Sequence, residues 1–325
     1  MNSIVIIFVD IHYILLMMYI NLYWTTFRSL ERECLEIAEN IHFDDRQLNT
    51  YSIKIANLLV YTCIEIESIS KDLYMREAGT DAKSGNLYFD TDCLAFLDKK
   101  WSLSKKHIIV SNPTFEFKDE NNICLRPLHK AHKSGNKTSD WKKAYQAVKH
   151  NRSESLYLGN LRHLIRSMAA LYLLNIYYSN QVFPLGCDAN GKSFDSTLGS
   201  SMFSVEYQEC IYNAGDETYS RSDNYDNCVY LMQPTENTKH IFEISAKKIM
   251  EEILDPAGEE TRKTILTDTE KLLSLPKEDV QLIINKTYEN AKEKLYKRIT
   301  PNDQLFYKKA LRIIEYEMIL NVNQL

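Results

Sequence analysis

Lys149, His150 and Arg152 close the stretch "DWKKAYQAVKHNR", Asp140 to Arg152, and place two permanent cations beside an imidazole. That combination suits cleavage of RNA without metal. An imidazole can move the proton of a 2′-hydroxyl near neutral pH, while Lys and Arg stabilise the charge growing on the phosphate. In this reading His150, Arg152 and Lys149 are the catalytic candidates, and Trp141, Tyr145, Glu67, Arg126 and His132 are the binding candidates. The same residues have a structural alternative, because charge networks perturb local chemistry as readily in a scaffold as in a catalyst. Lys149 and Arg152 then pair with Glu65 or Glu67 of an earlier helix, and His150 completes the network.

Arg126 and His132 form a second Arg and His pair, but in a loop after Pro127, where side chains are less rigidly oriented than on a helix. Cys124, His129 and His132 invite a zinc reading, yet a fourth ligand at suitable spacing is missing, so no metal and no other cofactor is expected. The chain has no Gly-rich phosphate loop and no HExxH, GxSxG or DxDxG pattern, which leaves nucleotide-dependent and serine-hydrolase chemistry without support.

Helices must position these groups. With 325 residues, 44% of them hydrophobic and 26% charged, the chain can bury a large core, and only nine Gly and seven Pro argue against a many-turned β sandwich. Seven Cys without a CxxC fit a reducing compartment. Helical periodicity runs from about Trp24 to Asn40 and from about Asn49 to Ala78, where Ile55, Leu59, Thr62, Ile66, Ile69 and Leu73 recur. Ser139 or Asp140 is placed to cap the next helix, with Trp141, Tyr145 and Val148 on one face. A helix starting near Glu154 becomes apolar all round at "SMAALYLLNIYY", as the central element of a bundle does. "HIIV", "TFEF" and "ICLR" read as a small hairpin, "MFSVEY" and "CVYLMQ" as strands around an acidic, Tyr-rich loop. In the C-terminal part Val280, Ile284, Tyr288, Ala291, Leu295 and Ile299 form a helical stripe. Thr300 and Pro301 start a last helix that turns Leu311, Ile314 and Met318 inward.

The expected fold is therefore mainly α, a helical bundle with a small β-hairpin element and a C-terminal helical segment. Its parts are an apolar extension at 1–23, a helical domain at 24–182 with a β insertion near 107–125, a β-containing acidic insertion at 183–240, and helices at 241–325. The extension reads as a buried helix, a membrane span, or sequence upstream of a start at Met17 or Met18; a membrane location is not expected, because its uninterrupted apolar runs are shorter than the ~20 residues a span needs. Charge is uneven under a net −5: Lys99 to Arg152 holds 13 Lys and Arg against four acids, and Phe183 to Ser245 holds ten acids against three bases. Such asymmetry can present an anion-attracting face, or the two segments can lie against each other.

"WTTFRSLERE", "NTYSIKIANLLVYTCIEIESISKDLY", "LRPLHK" and "WKKAYQAVKHNR…LGNLRHLIRSMAALYLLNIYY", in that order, resemble a group of uncharacterised bacterial helical proteins similar to the HEPN superfamily, over Trp24 to Tyr178. The resemblance implies a helical, often dimeric domain of toxin, abortive-infection or anti-phage systems, acting in the cytoplasm, in some members as a metal-independent ribonuclease. Those members carry an Arg followed about four to six residues later by a His on a helix. Here the His after Arg152 is His163, and the pair with compatible spacing, Arg126 and His132, stands in the loop. Two functions follow as expectations: RNA binding with cleavage through Lys149, His150 and Arg152, or a non-enzymatic module docking a protein partner through the acidic loop or the C-terminal helices.

Overall fold

The computed structural model of the chain describes residues 21–79, 82, 83, 85–298 and 313–323. Most of the apolar extension at 1–23, and the Thr300 and Pro301 helix start, lie outside them.

The core is helical. In α1 (Leu22–Ala38) the Asn21 side chain accepts from the Trp24 N–H, and in α2 (Ile53–Ala78) Ser52 does the same for Ile55, each satisfying an orphan donor of the first turn. A π-helical turn, Phe89–Leu94, runs into α3 (Ala95–Trp101). α4 is Asp140–His150. The helix expected from Glu154 begins later. Arg152–Ser155 is a single turn, Leu156–Leu158 is 3-10, and α5 (Leu161–Ser179) starts behind Gly159 with Asn160 as its cap. Gly159 lies so close to α2 that a Cβ there would stand 2.5 Å from the Ala56 Cβ.

α5 is the centre of the bundle, as its all-round apolarity predicts. Leu171, Leu173 and Leu174 are fully buried, each worth about 1.5–3 kcal/mol of burial. The helix lies against α2, α4 and α1. No helix among the described residues is long and apolar enough to cross a membrane.

The chain is predominantly helical, with three small sheets among the described residues. β1 (Ile108–Val110) and β2 (Cys124–Leu125) pair antiparallel where a hairpin was expected, but "TFEF" forms no strand; Glu116 makes an isolated bridge to Asp44. β3 is Phe183–Gly186, and "MFSVEY" divides into β4 (Phe203–Val205) and β5 (Tyr207–Glu209). β4 pairs antiparallel with the free edge of β1, so the hairpin becomes a three-stranded sheet closed by a segment almost a hundred residues on. An unpaired edge would have left the β1 backbone groups without partners. The acidic loop contains a hairpin of β6 (Ile211–Asn213) and β7 (Thr218–Ser220).

β8 (Tyr230–Pro234) and β9 (Tyr316–Leu320) complete a four-stranded sheet in the order β3, β9, β8, β5. β9 corrects the sequence reading, which made Met318 part of an inward helical stripe. Met318 is fully buried, but in a strand with Leu320 on the same face, paired with β8 and β3. Two available strand edges outweigh a weak helical period, because a five-residue segment gains more backbone bonds there than one helical turn supplies. Leu311 lies outside the described residues.

The C-terminal helices are α6 (Glu236–Ile249), a π-helical turn Met250–Leu254 continued by α7 (Asp255–Thr267), a short helix Thr269–Leu273, and α8 (Lys277–Tyr296). On α8 Ala291 is buried and Val280, Ile284, Tyr288 and Leu295 are half-buried, so this part of the stripe faces inward as expected, and Ile299 lies outside the described residues. The apolar core runs without a break from Phe27 on α1 to Leu320 on β9.

Candidate functional site

α4 carries the candidate residues of the sequence on two sides. Trp141, Tyr145 and Val148 are buried, and the Trp141 Nε1 donates to the Pro127 carbonyl at 2.8 Å, which ties the loop after β2 to the helix. The Tyr145 hydroxyl donates to Glu67 Oε1 at 2.9 Å, and Lys149 Nζ donates to the same hydroxyl at 2.9 Å and lies 3.9 Å from Glu67. Burial and the Glu67 hydrogen bond push the Tyr145 phenol well above its ordinary range. Trp141 and Tyr145 therefore pack the core, and their rings cannot stack on a ligand. Glu67 acts as an acceptor inside the protein.

The three basic residues stay at the surface. Arg152 is exposed and its Nη1 donates to Asn57 at 2.7 Å; neither it nor His150 reaches Glu65 or Glu67. His150 is exposed and has no side-chain partner among the described residues. One cation of the three is thus engaged by an internal acid, and the network of the structural alternative forms only at Lys149. An exposed Arg bonded to one amide contributes little, so Arg152→Ala should change unfolding free energy by less than about 0.5 kcal/mol in urea titrations. A loss of several kcal/mol would mean the residue locks the helices together.

At the other end of α4 the structure opens a cleft of about 320 Å³. Its lining includes Arg126, His129, Lys130, Ser139, Asp140 and Arg166. The loop holds Arg126 and Lys130 here because Trp141 anchors Pro127, and a left-handed Lys130, φ +61°, turns the chain back. Arg166 reaches over from α5 to pair with Asp140. The side chains of Arg126 and Lys130 have no partner among the described residues. Ser139, in the N-cap position of α4, is buried, and its Oγ is unpartnered. Burial, then the charges of Arg126 and Lys130, hold the His129 imidazole below its usual range, so it adds a neutral ring to a cationic cleft. The predicted pair of Arg126 and His132 is not assembled. Arg126 lines the cleft, whereas His132 turns to Asp98, its Nδ1 3.4 Å from the carboxylate. Part of the remaining basic segment meets acids of the chain: Lys105 bonds Asp226 at 2.6 Å, and Lys142 pairs with Asp90.

Sequence reasoning missed a third cluster. Cys124 stands beside His107 and Glu206 in place of the His129 and His132 considered with it. The Cys124 Sγ is 3.2 Å from His107 Nδ1, and Glu206 Oε2 is 3.4 Å from that same nitrogen. Register brings them together: Ile108 pairs with Leu125 and Val205, and Ile109 with Cys124 and Ser204. Side chains alternate across a strand, so Ile108, Leu125 and Val205 enter the core while His107, Cys124 and Glu206 share the other face. Burial, with the charges of Glu206 and Glu120, pushes the Cys124 thiol up to about 11, which leaves it a poor nucleophile on its own. The alternation in "KHIIV" is visible in the sequence, but the partner strands are not. No protein-family model, no curated protein and no solved structure matches this chain.

Proposed function

We propose that the protein binds RNA through its basic segment, with a backbone phosphate seated in the cleft at the start of α4. The observation that carries this reading is the convergence of Arg126, Lys130 and Arg166 on one cleft that also holds an unpartnered buried hydroxyl, Ser139 Oγ. Arg126 and Lys130, whose side chains are unpaired among the described residues, favour a phosphate at the helix start, while Arg166 is held there by Asp140. Lys149, His150 and Arg152 offer a second contact at the far end of α4, which at eleven residues is about 16 Å long. The finer form of this reading is a HEPN-like protein of bacterial defence, cytoplasmic, in which His150 moves the proton of a 2′-hydroxyl between Lys149 and Arg152. The solvent exposure of His150 supports that step.

Fluorescence anisotropy with a labelled single-stranded RNA tests binding. Affinity should fall steeply with salt, and the Arg126→Ala, Lys130→Ala double variant should weaken it about tenfold and flatten the logarithmic salt slope by about 1.4, as for two lost phosphate contacts. Incubation with total RNA, with and without His150→Ala, tests cleavage. Binding that ignores salt, or that survives the double variant unchanged, removes the reading.

A second reading, a helical module that docks a protein partner or a second copy, has its own support. Leu266, Leu273 and Leu282 on the C-terminal helices are 65%, 81% and 69% exposed, large apolar side chains left uncovered in the segment expected to meet a partner. A monomer by light scattering, unchanged by Leu273→Asp, would count against a homodimer through these helices.

A further inference from the structure

The His107, Cys124 and Glu206 cluster does not enter the RNA reading. It is the one group of three His, Cys, Asp or Glu among the described residues whose ligand atoms all lie within 4.8 Å of one another. Two accounts of such a trio compete. In a nucleophilic triad, the thiol and the carboxylate contact opposite nitrogens of the imidazole, so that a proton taken at one side is balanced at the other. Here both approach the same nitrogen, Nδ1. That geometry cannot relay a proton between sulfur and carboxylate. It does bring a sulfur, a ring nitrogen and a carboxylate oxygen within 4.8 Å of one another, as ligands of one metal ion must be.

One of the two separations matches a tetrahedral ion, and the other is shorter, so the thiol and the imidazole would part by about 0.4 Å to admit it. With zinc about 2.3 Å from sulfur and about 2.0–2.1 Å from nitrogen and oxygen, ligand atoms stand roughly 3.6 Å (S to N) and 3.3 Å (N to O) apart. The corresponding separations are 3.2 and 3.4 Å. The donor set selects the metal: a thiolate and an imidazole favour zinc over magnesium or calcium, which take oxygen ligands. One thiolate and one carboxylate also balance the charge of a divalent ion around a neutral imidazole.

The scaffold is rigid where it needs to be. Cys124 lies in β2, and His107 and Glu206 directly flank β1 and β4 of the same sheet, whose opposite face is buried core: Ile108 is 0% exposed, and Leu125 and Val205 are 4%. The backbone on either side is pinned as well, since the His107 N–H donates to Asn227 and the Glu206 carbonyl accepts from Val229 at 2.9 Å. Half-burial of all three leaves a path for an ion to enter.

We infer that His107 Nδ1, Cys124 Sγ and Glu206 Oε2 form a zinc site on the outer face of the β2, β1, β4 sheet, with a fourth tetrahedral position left to solvent or a ligand. Because Cys124 also lines the basic cleft, the ion borders the anion site without sharing its cations. The site stands independently of RNA binding.

Cobalt titration of the full-length protein, reduced and stripped with chelator, is the test. One equivalent of Co²⁺ should give a thiolate-to-cobalt charge-transfer band with visible d–d bands, and Zn²⁺ should displace both. Cys124→Ser should abolish the charge-transfer band; His107→Ala and Glu206→Gln, which keep the thiol, should weaken binding at least about tenfold. Zn²⁺ should raise the melting temperature of the natural protein and not of the three variants. If Cys124→Ser does not fold by circular dichroism, the two thiol-retaining variants decide. Absence of the band in the natural protein, or its survival at full affinity in any folded variant, overturns the site, whatever the outcome of the RNA experiments.

Discussion

Glu31→Ala is expected to cost about 3–5 kcal/mol of unfolding free energy, the largest loss from any single change considered, because it removes a buried charge with all its partners in place. Glu31 sits on α1 and is 2% exposed. One carboxylate oxygen accepts from the Ser200 hydroxyl at 2.5 Å and from the Ser201 and Met202 N–H groups at 2.9 and 3.1 Å; the other accepts from Arg28 at 2.6 Å. Arg28 also donates to the Gly199 carbonyl. Alanine would take the acceptor from the buried Ser200 hydroxyl and from the Ser201 N–H, each at about 1–3 kcal/mol, would leave the Met202 N–H only its bond to the Ser200 Oγ, and would leave Arg28 without its counter-charge. The segment concerned leads directly into β4, so the loss should spread to the sheet that carries His107, Cys124 and Glu206. Urea denaturation followed by circular dichroism measures it, and a loss below about 1 kcal/mol would mean that residues 199–202 find other partners.

The second large effect has the opposite sign. Lys106 lies just before β1, is 0% exposed, and its ammonium has no hydrogen-bond partner among the described residues. Asp226, whose charge reaches it, is bonded to Lys105. Burial pushes the Lys106 pKa down to about 8 from an ordinary 10.5, which makes the charged form costly in the folded protein. Lys106→Met, which keeps the length and removes the charge, should therefore stabilise the protein at pH 7 by about 3 kcal/mol, the equivalent of the shift at 1.36 kcal/mol per pH unit.

The pH dependence follows from the same shift. Below about pH 8 the lysine is protonated in both states and the whole penalty applies. Between about 8 and 10.5 the unfolded chain holds a proton that the folded protein has released, so the stability of the natural protein rises with pH and the advantage of the variant shrinks. Parallel melts of the two proteins from pH 6 to 10 measure the difference with other titrations cancelled. A variant less stable than the natural protein at pH 7 would show that the ammonium has a partner worth more than its burial costs.

Much of the helical core was legible because helix formation is local. Ile55, Leu59, Thr62 and Ile66 signal α2 within a few residues of one another, and the apolar girth of "SMAALYLLNIYY" marks α5 as central without knowledge of its neighbours. The face of α4 was also readable, and with it the burial of Trp141 and Tyr145; what that burial means for them as ligand contacts was not. Sequence offered Glu65 or Glu67 as the acid for Lys149 and Arg152, and the structure brings Lys149 to Glu67. Sequence could not tell that Arg152 would choose Asn57, because a surface side chain selects among neighbours that only packing supplies.

What the sequence by itself determined is the long helices α1 and α2, the central place of α5 and the apolar faces of α4 and α8, since each depends on residues three or four apart. The tertiary structure decided everything that joins distant segments. It made residues 316–320 a strand by offering edges on both sides, carried Arg166 to the loop of Arg126 and Lys130, and set His107 against Cys124 and Glu206. Strand pairing exchanges backbone hydrogen bonds between segments with no local preference for one another, so the chemistry it assembles has no sequence period to announce it.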